Sequence, residues 1–300
     1  MTGRRVLVTG ATGNQGGAVV DALVAADTEF EVYGLTRDRL GDTAAALTQR
    51  GVQMVEGDLY EPSSLRPHVE AVDAVFAVTN FWTEGYDGQV EQEKNLATVA
   101  AEGGIDQFVL SGAAGHHRET GVSPFESVAA IEGHARDCGV PLTMLQPAFF
   151  FQNLEGFLSG IFDGRLAWPL DEGVRLGMVD IHDVGHAARV AFERPGQFVG
   201  ERYELAGDEL TLADIAAAVT GTSASRSNHT TSLAEARTRF GDAFTEMFAW
   251  FNEAGPEADI ERLSGVFGFE FAGLETYLRT HGWTNKQGMA VTPGWVEGLE

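Results

Sequence analysis

Three glycines near the amino terminus have the spacing of a phosphate-binding turn. Gly10, Gly13 and Gly16 follow the apolar residues 6–8 and precede the helix-forming residues 18–24. The first glycine would let the chain turn sharply off a strand. The second would leave room for a pyrophosphate beside the backbone, and the third would let the helix pack closely on a sheet. The start of that helix would present free N–H groups and a positive dipole end to an anion. This strand–turn–helix context predicts a dinucleotide-binding loop.

A charged pair after the second predicted strand bears on which dinucleotide is bound. Residues 30–36 predict that strand, and Arg37 and Asp38 follow it. In such folds an acid here holds the ribose 2′-hydroxyl of NAD, whereas an arginine suits the 2′-phosphate of NADP. A guanidinium can form two parallel hydrogen bonds with a phosphate. We therefore predict NADP as the cofactor. The alternative is that Arg37 is a solvated loop residue, and Asp38 keeps NAD open.

Polar side chains also follow two later predicted strands. Asp58 comes after residues 52–56, where it could hydrogen-bond the adenine amino group or serve as a turn and capping residue. Thr79 and Asn80 follow residues 74–78, a fully apolar run typical of a strand buried in a parallel sheet. Small polar residues at the carboxyl end of such a strand face the cofactor crevice.

The elements that must position these residues alternate along the chain. The predicted strands of the first half are residues 6–8, 30–36, 52–56, 74–78, 108–111 and 141–146. Helical segments separate them, including residues 90–102, and this alternation predicts an α/β fold with a Rossmann-type doubly wound parallel sheet. Later segments, including a predicted helix over residues 233–253, form a smaller, partly helical C-terminal region. We predict a NAD(P)-binding domain over residues 1–153. A smaller substrate or partner region over residues 154–300 would be interleaved with the last strands.

The charge balance of the chain is strongly acidic. There are 20 basic and 44 acidic residues, a net charge of −24, and only two of the basic residues are lysines. An acidic surface of this kind indicates adaptation to concentrated salt, with an acidic patch for a basic partner as the alternative. It argues against a nucleic-acid-binding surface, which needs clustered lysine and arginine.

Other features of composition predict a cytoplasmic protein with no membrane partner. No apolar run is long enough to span a bilayer, and the first predicted strand begins too early to leave room for a signal peptide. The single cysteine, Cys138, excludes an internal disulfide.

Taken together, these motifs resemble the NmrA-like family of atypical short-chain dehydrogenase/reductase proteins, and most of all its redox-sensor subgroup. The resemblance covers about the first half of the chain. The residues that carry it are GATGNQGG at 10–17, Thr36 and Arg37, EGDL at 56–59, VTNFW at 78–82, Lys94, CGVP at 138–141 and FFFQNL at 149–154.

The resemblance implies an NADP-binding Rossmann fold with a defined set of cofactor contacts. The residues it implies, together with Asp58 and its EGDL neighbour Leu59, are Thr12, Gly13, Asn14, Gln15, Arg37, Val78, Thr79, Asn80, Lys94, Phe150, Phe151, Gln152 and Asn153. Some members of the family are reductases, and others bind a dinucleotide and act as redox-sensing regulators.

The catalytic residues of ordinary short-chain dehydrogenases are not evident in this chain. Those enzymes use Tyr-x-x-x-Lys, and none of the five tyrosines is so spaced from either lysine. NmrA-like reductases often carry a lysine in the helix after the fifth strand, where this chain has Val128. A valine cannot hydrogen-bond a ribose or transfer a proton. Ser111, at the end of the fifth predicted strand, and His117, in the following loop, are weak catalytic candidates.

Two further groups have chemistry that the motif leaves open. The aromatic residues Phe81, Trp82 and 149–151 could line a pocket for a flat apolar substrate or belong to the core.

His182 and His186 have the i, i+4 spacing of two metal ligands on one helix face. We predict no metal site there because the sequence shows neither a third ligand nor an HExxH motif. Asp183 between them predicts the N-cap of a helix.

The sequence therefore predicts an NADP(H)-binding protein of the redox-sensing or regulatory kind. The alternative is an NADPH-dependent reductase of a quinone or similar carbonyl compound, whose product could draw its proton from water. Beyond the dinucleotide, the expected partner is a small apolar substrate or another protein.

Overall fold

A seven-stranded parallel sheet organises the fold. The computed structural model describes residues 3–157, 168–220, 231–255 and 257–283. In these ranges the strands are β1 (Arg4–Val8), β2 (Phe30–Thr36), β3 (Gln53–Glu56), β4 (Ala74–Ala77), β5 (Gln107–Ser111), β6 (Leu142–Pro147), β7 (Phe149–Phe150), β8 (Leu176–Val179), β9 (Arg202–Leu205) and β10 (Asp208–Leu210). The sheet order is β3-β2-β1-β4-β5-β6-β9, with every neighbouring pair parallel. The predicted Rossmann-type doubly wound sheet is confirmed, and its strand order reverses between β1 and β4.

The central strands are buried on both faces, as their continuous apolar sequences predict. Val6, Leu7 and Val8 of β1 are all fully buried. Val6 and Val8 belong to the core on one face of the sheet, whereas Leu7 belongs to the core on the other face. This alternation follows from the two-residue period of a strand. Because both faces of the central strands are covered, a ligand can reach these strands only at their ends.

Helices cover the two faces of the sheet. They are α1 (Asn14–Val24), α2 (Asp42–Gln49), α3 (Pro62–Val69), α4 (Phe81–Gly103), α5 (Ser123–Asp137), α6 (Ile181–Glu193), α7 (Pro195–Phe198), α8 (Leu212–Thr220), α9 (Leu233–Phe240), α10 (Asp242–Ala254), α11 (Ile260–Phe267) and α12 (Leu274–Thr280). Helices α1 and α6 pack against each other on one face, and α3, α4 and α5 pack together on the other. A Cβ placed on Gly185 of α6 would lie 2.4 Å from the carbonyl oxygen of Ala18 in α1, so only glycine permits this close contact.

A smaller, partly helical region follows β6, as predicted. Strands β7, β8 and β10 form a second sheet in the order β10-β8-β7. Helices α8, α9, α10 and α12 contribute to an apolar cluster that includes Trp168, Phe248 and Tyr277. Strand β9 pairs with β6 and completes the main sheet, so residues on both sides of position 153 contribute to one sheet. The division into domains at this position stays a prediction.

Two predicted helices have different bounds in the structure. The helix predicted over residues 233–253 is divided into α9 and α10, because Gly241 between them has φ 83° and ψ 177°, a non-helical conformation that glycine tolerates. The helix predicted over residues 90–102 begins earlier, at Phe81, and is interrupted at Gly85, where φ is 68°. Phe81 and Trp82 therefore lie in the first turn of a helix.

The helices also bear on the prediction about membrane spans. Among the described residues, none of the helices combines the length and the apolar composition needed to cross a bilayer. The longest, α4, has 23 residues, but Glu91, Glu93 and Lys94 interrupt its apolar character.

Candidate functional site

The glycine-rich turn lies between the end of β1 and the start of α1. Gly10 has a φ of 57°, and Gly13 is the N-cap residue of α1, with no side-chain cap. A Cβ on Gly16 would lie 2.2 Å from the carbonyl oxygen of Gly10, so this position accepts only glycine. Thr12 and Asn14 are exposed beside the first turn of α1. The turn thus leaves the first N–H groups of α1 accessible to an anion.

The ends of β1 and β4 are tied together where the strand order reverses. The buried hydroxyl of Thr9 donates to the carbonyl oxygen of Val78 at 2.9 Å and accepts from the Val78 N–H at 2.8 Å. Asn80 Oδ1 accepts from the N–H of Trp82 at 3.0 Å and caps α4. The predicted residues 78–80 therefore border the glycine-rich turn at the switch point of the sheet, where ligands of doubly wound folds bind.

The two charged residues after β2 differ in what they contact. Asp38 Oδ1 accepts from the N–H groups of Leu40 at 2.9 Å and Gly41 at 3.1 Å, so its carboxylate is engaged in the turn that leads into α2. Arg37 is exposed, and no described residue hydrogen-bonds or pairs with its guanidinium. Both side chains are exposed, but one carboxylate oxygen of Asp38 is already engaged, whereas the Arg37 guanidinium has no partner among the described residues.

Asp58 and Leu59 lie in the turn between β3 and α3. Asp58 Oδ1 accepts from the N–H of Tyr60 at 2.9 Å, and its own N–H donates to Ser64 Oγ at 2.9 Å. The carbonyl oxygen of Leu59 accepts from Asn95 of α4 at 3.0 Å. These contacts fit the turn role considered for Asp58, and its contact with adenine stays a prediction.

A buried carboxylic acid that the sequence did not single out lies behind Thr79. Glu93 of α4 is 1% exposed, and the Thr79 hydroxyl donates to its Oε1. Its Oε2 is buried without a partner among the described residues. Burial raises the pKa of Glu93 to about 7. Lys94, the predicted cofactor residue beside it, is half-buried and forms no ion pair within the described chain.

The segment after β7 is held by the start of α6. Gln152 donates from Nε2 to Asp180 Oδ1 at 2.7 Å and accepts from the N–H of Ile181 at 3.2 Å. Phe151 is fully buried and stacks on Tyr277 at 5.2 Å between ring centroids. Its ring is therefore part of the core, whereas Phe150 and Asn153 are half-buried.

The other candidate aromatic residues divide between core and crevice. Phe149 is 9% exposed and contacts the rings of Trp168 and Phe248 edge-on, at 5.0 and 5.6 Å. Phe149, like Phe151, therefore belongs to the core and not to a substrate pocket. Phe81 and Trp82 are half-buried and contact each other at 5.5 Å. Only the half-buried rings can still take part in a substrate wall.

The two weak catalytic candidates lie in different surroundings. Ser111 Oγ donates to Gln15 Oε1 at 2.8 Å and joins the end of β5 to the glycine-rich turn. His117 lines a cavity of about 270 Å³ at the β6–β9 edge, with its Nδ1 4.0 Å from Glu204 Oε1. Burial and the nearby Arg202 lower the pKa of His117. The described contacts therefore do not join His117 to the glycine-rich turn.

Val128 lies beside the residue that follows β5. A Cβ placed on Gly112 would be 2.9 Å from Cγ1 of Val128. The neighbouring His116 is buried, and its Nε2 lies 2.7 Å from Glu132 Oε2. Although burial opposes it, hydrogen bonds from His116 and Arg136 lower the pKa of Glu132 to about 2. The helix face next to β5 thus combines an apolar Val128 with a buried ion-pair network.

The histidines of α6 are arranged differently from the sequence prediction. Asp180, and not Asp183, is the N-cap, because its Oδ1 accepts from the N–H of His182 at 2.9 Å. The prediction that Asp183 is the N-cap was wrong, because α6 begins three residues before the predicted start of the helix. The Asp183 carboxylate instead accepts from the N–H of Ala272 at 2.6 Å. Burial raises the pKa of Asp183 to about 6. His186 contacts the ring of Phe269 at 5.8 Å.

Together, the fold and the crevice define a Rossmann-type dinucleotide-binding architecture with a glycine-rich turn at its switch point. The chain belongs to the NmrA-like family, whose model matches residues 2–278. A relative, the NAD(P)H azoreductase of Xenophilus azovorans, is 33% identical over 216 residues, which cover 71% of this chain and 72% of that protein.

Solved structures share the fold over nearly the whole chain. The NADPH-dependent quinone oxidoreductase of Escherichia coli, complexed with NADPH, is 19% identical, covers 92% of this chain and 99% of its own, and has a TM-score of 0.78. NmrA, a negative transcriptional regulator in complex with NADP, is 18% identical, covers 99% of this chain and 100% of its own, and has a TM-score of 0.75. The same fold thus occurs in a reductase and in a regulator.

Proposed function

We propose that the protein binds NADP(H) in the crevice at the carboxyl ends of β1, β2 and β4. The observation that carries this proposal is the contrast between Arg37, which has no partner in the described chain, and Asp38, whose carboxylate is engaged in its own turn. Arg37, which is free to bind a ligand, suits the 2′-phosphate of NADP. Asp38, whose carboxylate is engaged, is the residue that would select NAD.

The residues of the turn fit the rest of the cofactor. Because Gly16 brings α1 against Gly10, the first turn of α1 can approach a pyrophosphate closely, and Thr12 to Gln15 would hold it. Lys94, residues 78–80 and residues 150–153 remain the proposed contacts with the other parts of the dinucleotide. When bound, NADPH would supply a hydride.

The reductase activity is the second part of the proposal, and the azoreductase relative favours it over pure sensing. Val128 and the engaged Ser111 leave no evident proton donor at the end of β5. The acceptor would therefore be a flat, electron-poor compound such as a quinone, whose reduced form takes its proton from water. The half-buried rings of Phe81, Trp82 and Phe150 would contact it.

Cofactor binding is tested by titration of the purified protein with NADPH and with NADH, followed by tryptophan fluorescence. Replacing Arg37 with alanine should raise the Kd for NADPH by about 10- to 100-fold, the effect of losing a charge-assisted pair of hydrogen bonds, with little change for NADH. Arg50→Ala is the matched control, because Arg50 already pairs with Asp21 at 2.7 Å. Equal effects of Arg37→Ala on both cofactors would show that Arg37 does not contact the 2′-phosphate.

Turnover separates the reductase from the regulator. The loss of NADPH absorbance is followed with a panel of quinones and azo dyes, with an enzyme-free reaction as the background. Turnover above that background supports the reductase. Tight NADPH binding without turnover would leave the redox-sensing function, and failure to bind either dinucleotide would overturn both.

A further inference from the structure

Three potential metal ligands from two distant segments of the chain meet beside the start of α6. Asp180, His182 and His281 each offer one ligand atom, and these atoms all lie within 4.8 Å of one another. Asp180 is buried, whereas His182 is exposed and His281 is half-buried. One carboxylate and two imidazoles form a donor set that suits Zn²⁺ and similar divalent transition metals.

Asp180 and His182 are already held at the separation of two ligands. His182 Nδ1 lies 2.9 Å from Asp180 Oδ1, within hydrogen-bond distance. In a tetrahedral site, metal–ligand bonds of about 2.0–2.1 Å place adjacent ligand atoms roughly 3.3 Å apart, slightly more than this distance. A cation can therefore be bound by these two atoms after only a small movement of the side chains.

The carboxylate is fixed by contacts of its own. Gln152 Nε2 donates to Asp180 Oδ1 at 2.7 Å, and the N–H of His182 donates to the same atom at 2.9 Å. Asp180 Oδ2 receives no hydrogen bond from any described residue. Ligating carboxylates are commonly oriented in this way by hydrogen bonds from neighbouring groups.

The imidazole of His281 is oriented by its own helix. Its Nδ1 lies 3.0 Å from the carbonyl oxygen of Tyr277, and its ring stacks on the Tyr277 ring at 4.4 Å. An Nδ1–H that donates to a backbone carbonyl fixes the tautomer in which Nε2 is free to bind a metal. The ring centroids of His182 and His281 are 5.3 Å apart. A small rotation of the exposed His182 side chain therefore brings the three ligand atoms within reach of one ion.

We propose that Asp180, His182 and His281 bind one Zn²⁺ ion, with water in the remaining coordination position. The ion links the end of α12 to the junction between β8 and α6. His186 is not part of the site, because its ring packs on Phe269. None of the three ligands is a proposed cofactor contact, although Gln152, which orients Asp180, is one.

The test uses full-length protein that carries no polyhistidine tag and has been stripped with a chelator. Titration with Zn²⁺ by calorimetry should give one site, and Co²⁺ in its place should give the visible absorption of a nitrogen- and oxygen-ligated ion. His182→Gln and His281→Gln should each weaken Zn²⁺ binding by about 100-fold or more, which exceeds the effect of losing a residue that only orients a ligand. His186→Gln is the matched control and should bind Zn²⁺ like the parent protein.

A thermal melt gives a second measurement on the same variants. Excess Zn²⁺ should raise the Tm of the parent protein and of His186→Gln, because a ligand that binds only the native state stabilises it. The same excess should raise the Tm of His281→Gln much less, because this variant binds Zn²⁺ more weakly. Absence of a one-to-one site in the parent protein, or equal Zn²⁺ affinity in the parent, His182→Gln and His281→Gln, would overturn the proposal.

Discussion

Glu93 is a carboxylic acid placed where ionisation is costly. It is 1% exposed, accepts one hydrogen bond from Thr79, and has a second oxygen with no partner among the described residues. Because the charged form is disfavoured by burial, its pKa rises from 4.5 to about 7. Its neighbour Glu91, on the same helix, is exposed to solvent. A comparison of variants at Glu93 and Glu91 therefore isolates the effect of burying one acid on the stability of the protein.

We expect Glu93 to make the protein less stable as the pH rises from about 5 to about 8. Well below pH 4.5, Glu93 is protonated in both the folded and the unfolded protein. Above it the unfolded state releases the proton first, so stability falls until the folded acid also ionises near pH 7. Between pH 5 and pH 8 the parent protein should therefore lose roughly 2 to 3 kcal/mol more than Glu93→Gln, which stays neutral.

Urea denaturation at the two pH values measures this difference. Asp183, whose pKa is also raised, is present in both proteins and cancels in the comparison. Glu91→Gln serves as the control and should keep the pH dependence of the parent protein. An unchanged pH dependence in Glu93→Gln would show that Glu93 is ionised at little cost in the folded state.

Single residues show where sequence patterns suffice and where they do not. Arg37 could be chosen from its place after a predicted strand, because strand order alone brings that position to the crevice. Asp183 was assigned as an N-cap because a cap and a buried acid have the same local pattern. The partner that decides between them, Ala272, is remote in the chain. His281 was missed as a neighbour of His182 for the same reason.

At the scale of elements, the contact between α1 and α6 depends on one glycine. A Cβ on Gly185 would lie 2.4 Å from the Ala18 carbonyl oxygen, and backbone atoms cannot move aside as a flexible side chain can. Helix α6 also presents Asp180 to Gln152, and α1 carries the first N–H groups of the glycine-rich turn. The spacing of these two helices therefore sets the geometry of the crevice.

Replacing Gly185 with alanine should destabilise the protein by about 1–3 kcal/mol, the usual effect of overfilling a packed interface. Gly133 is the control, since it lies exposed in α5 and an added Cβ would meet no atom within 4 Å. Alanine there should be neutral or stabilise by about 0.5–1 kcal/mol through helix propensity. Urea denaturation of both variants provides the measurement. Equal stabilities would mean that α6 can move away from α1 without loss.

The order of the strands and helices could be predicted better than the residues at which they begin and end. Apolar runs with turn signals between them were sufficient to predict β1 to β6, because the central strands are buried on both faces and the edge strand β3 still has a buried Met54. The division of residues 233–253 into α9 and α10 was missed, since a helical pattern continues across Gly241 while its backbone does not. The pairing of β9 with β6 is a contact between distant segments that no local pattern specifies.

At the scale of the whole molecule, the net charge of −24 is the dominant electrostatic feature. Several ion pairs, such as Arg5 with Asp73 and Arg50 with Asp21, involve partly exposed side chains that each contribute little to stability. The 44 acidic residues outnumber the 20 basic ones, so the chain carries a large excess of negative charge that repels itself. This repulsion acts against the compact state and is weakened by salt.

We expect the free energy of unfolding at pH 7 to rise when NaCl is increased from about 10 mM to about 1 M, because the Debye length falls from about 30 Å to about 3 Å. Chemical denaturation with urea, which is uncharged, measures the change. Near the sequence pI of 4.6 the net charge vanishes, so the same increase in salt should have much less effect. That contrast separates screening of repulsion from a general effect of salt on apolar burial. If stability at pH 7 fell steadily with salt, the ion pairs would outweigh the repulsion, and the acidic composition would have to serve a basic partner instead.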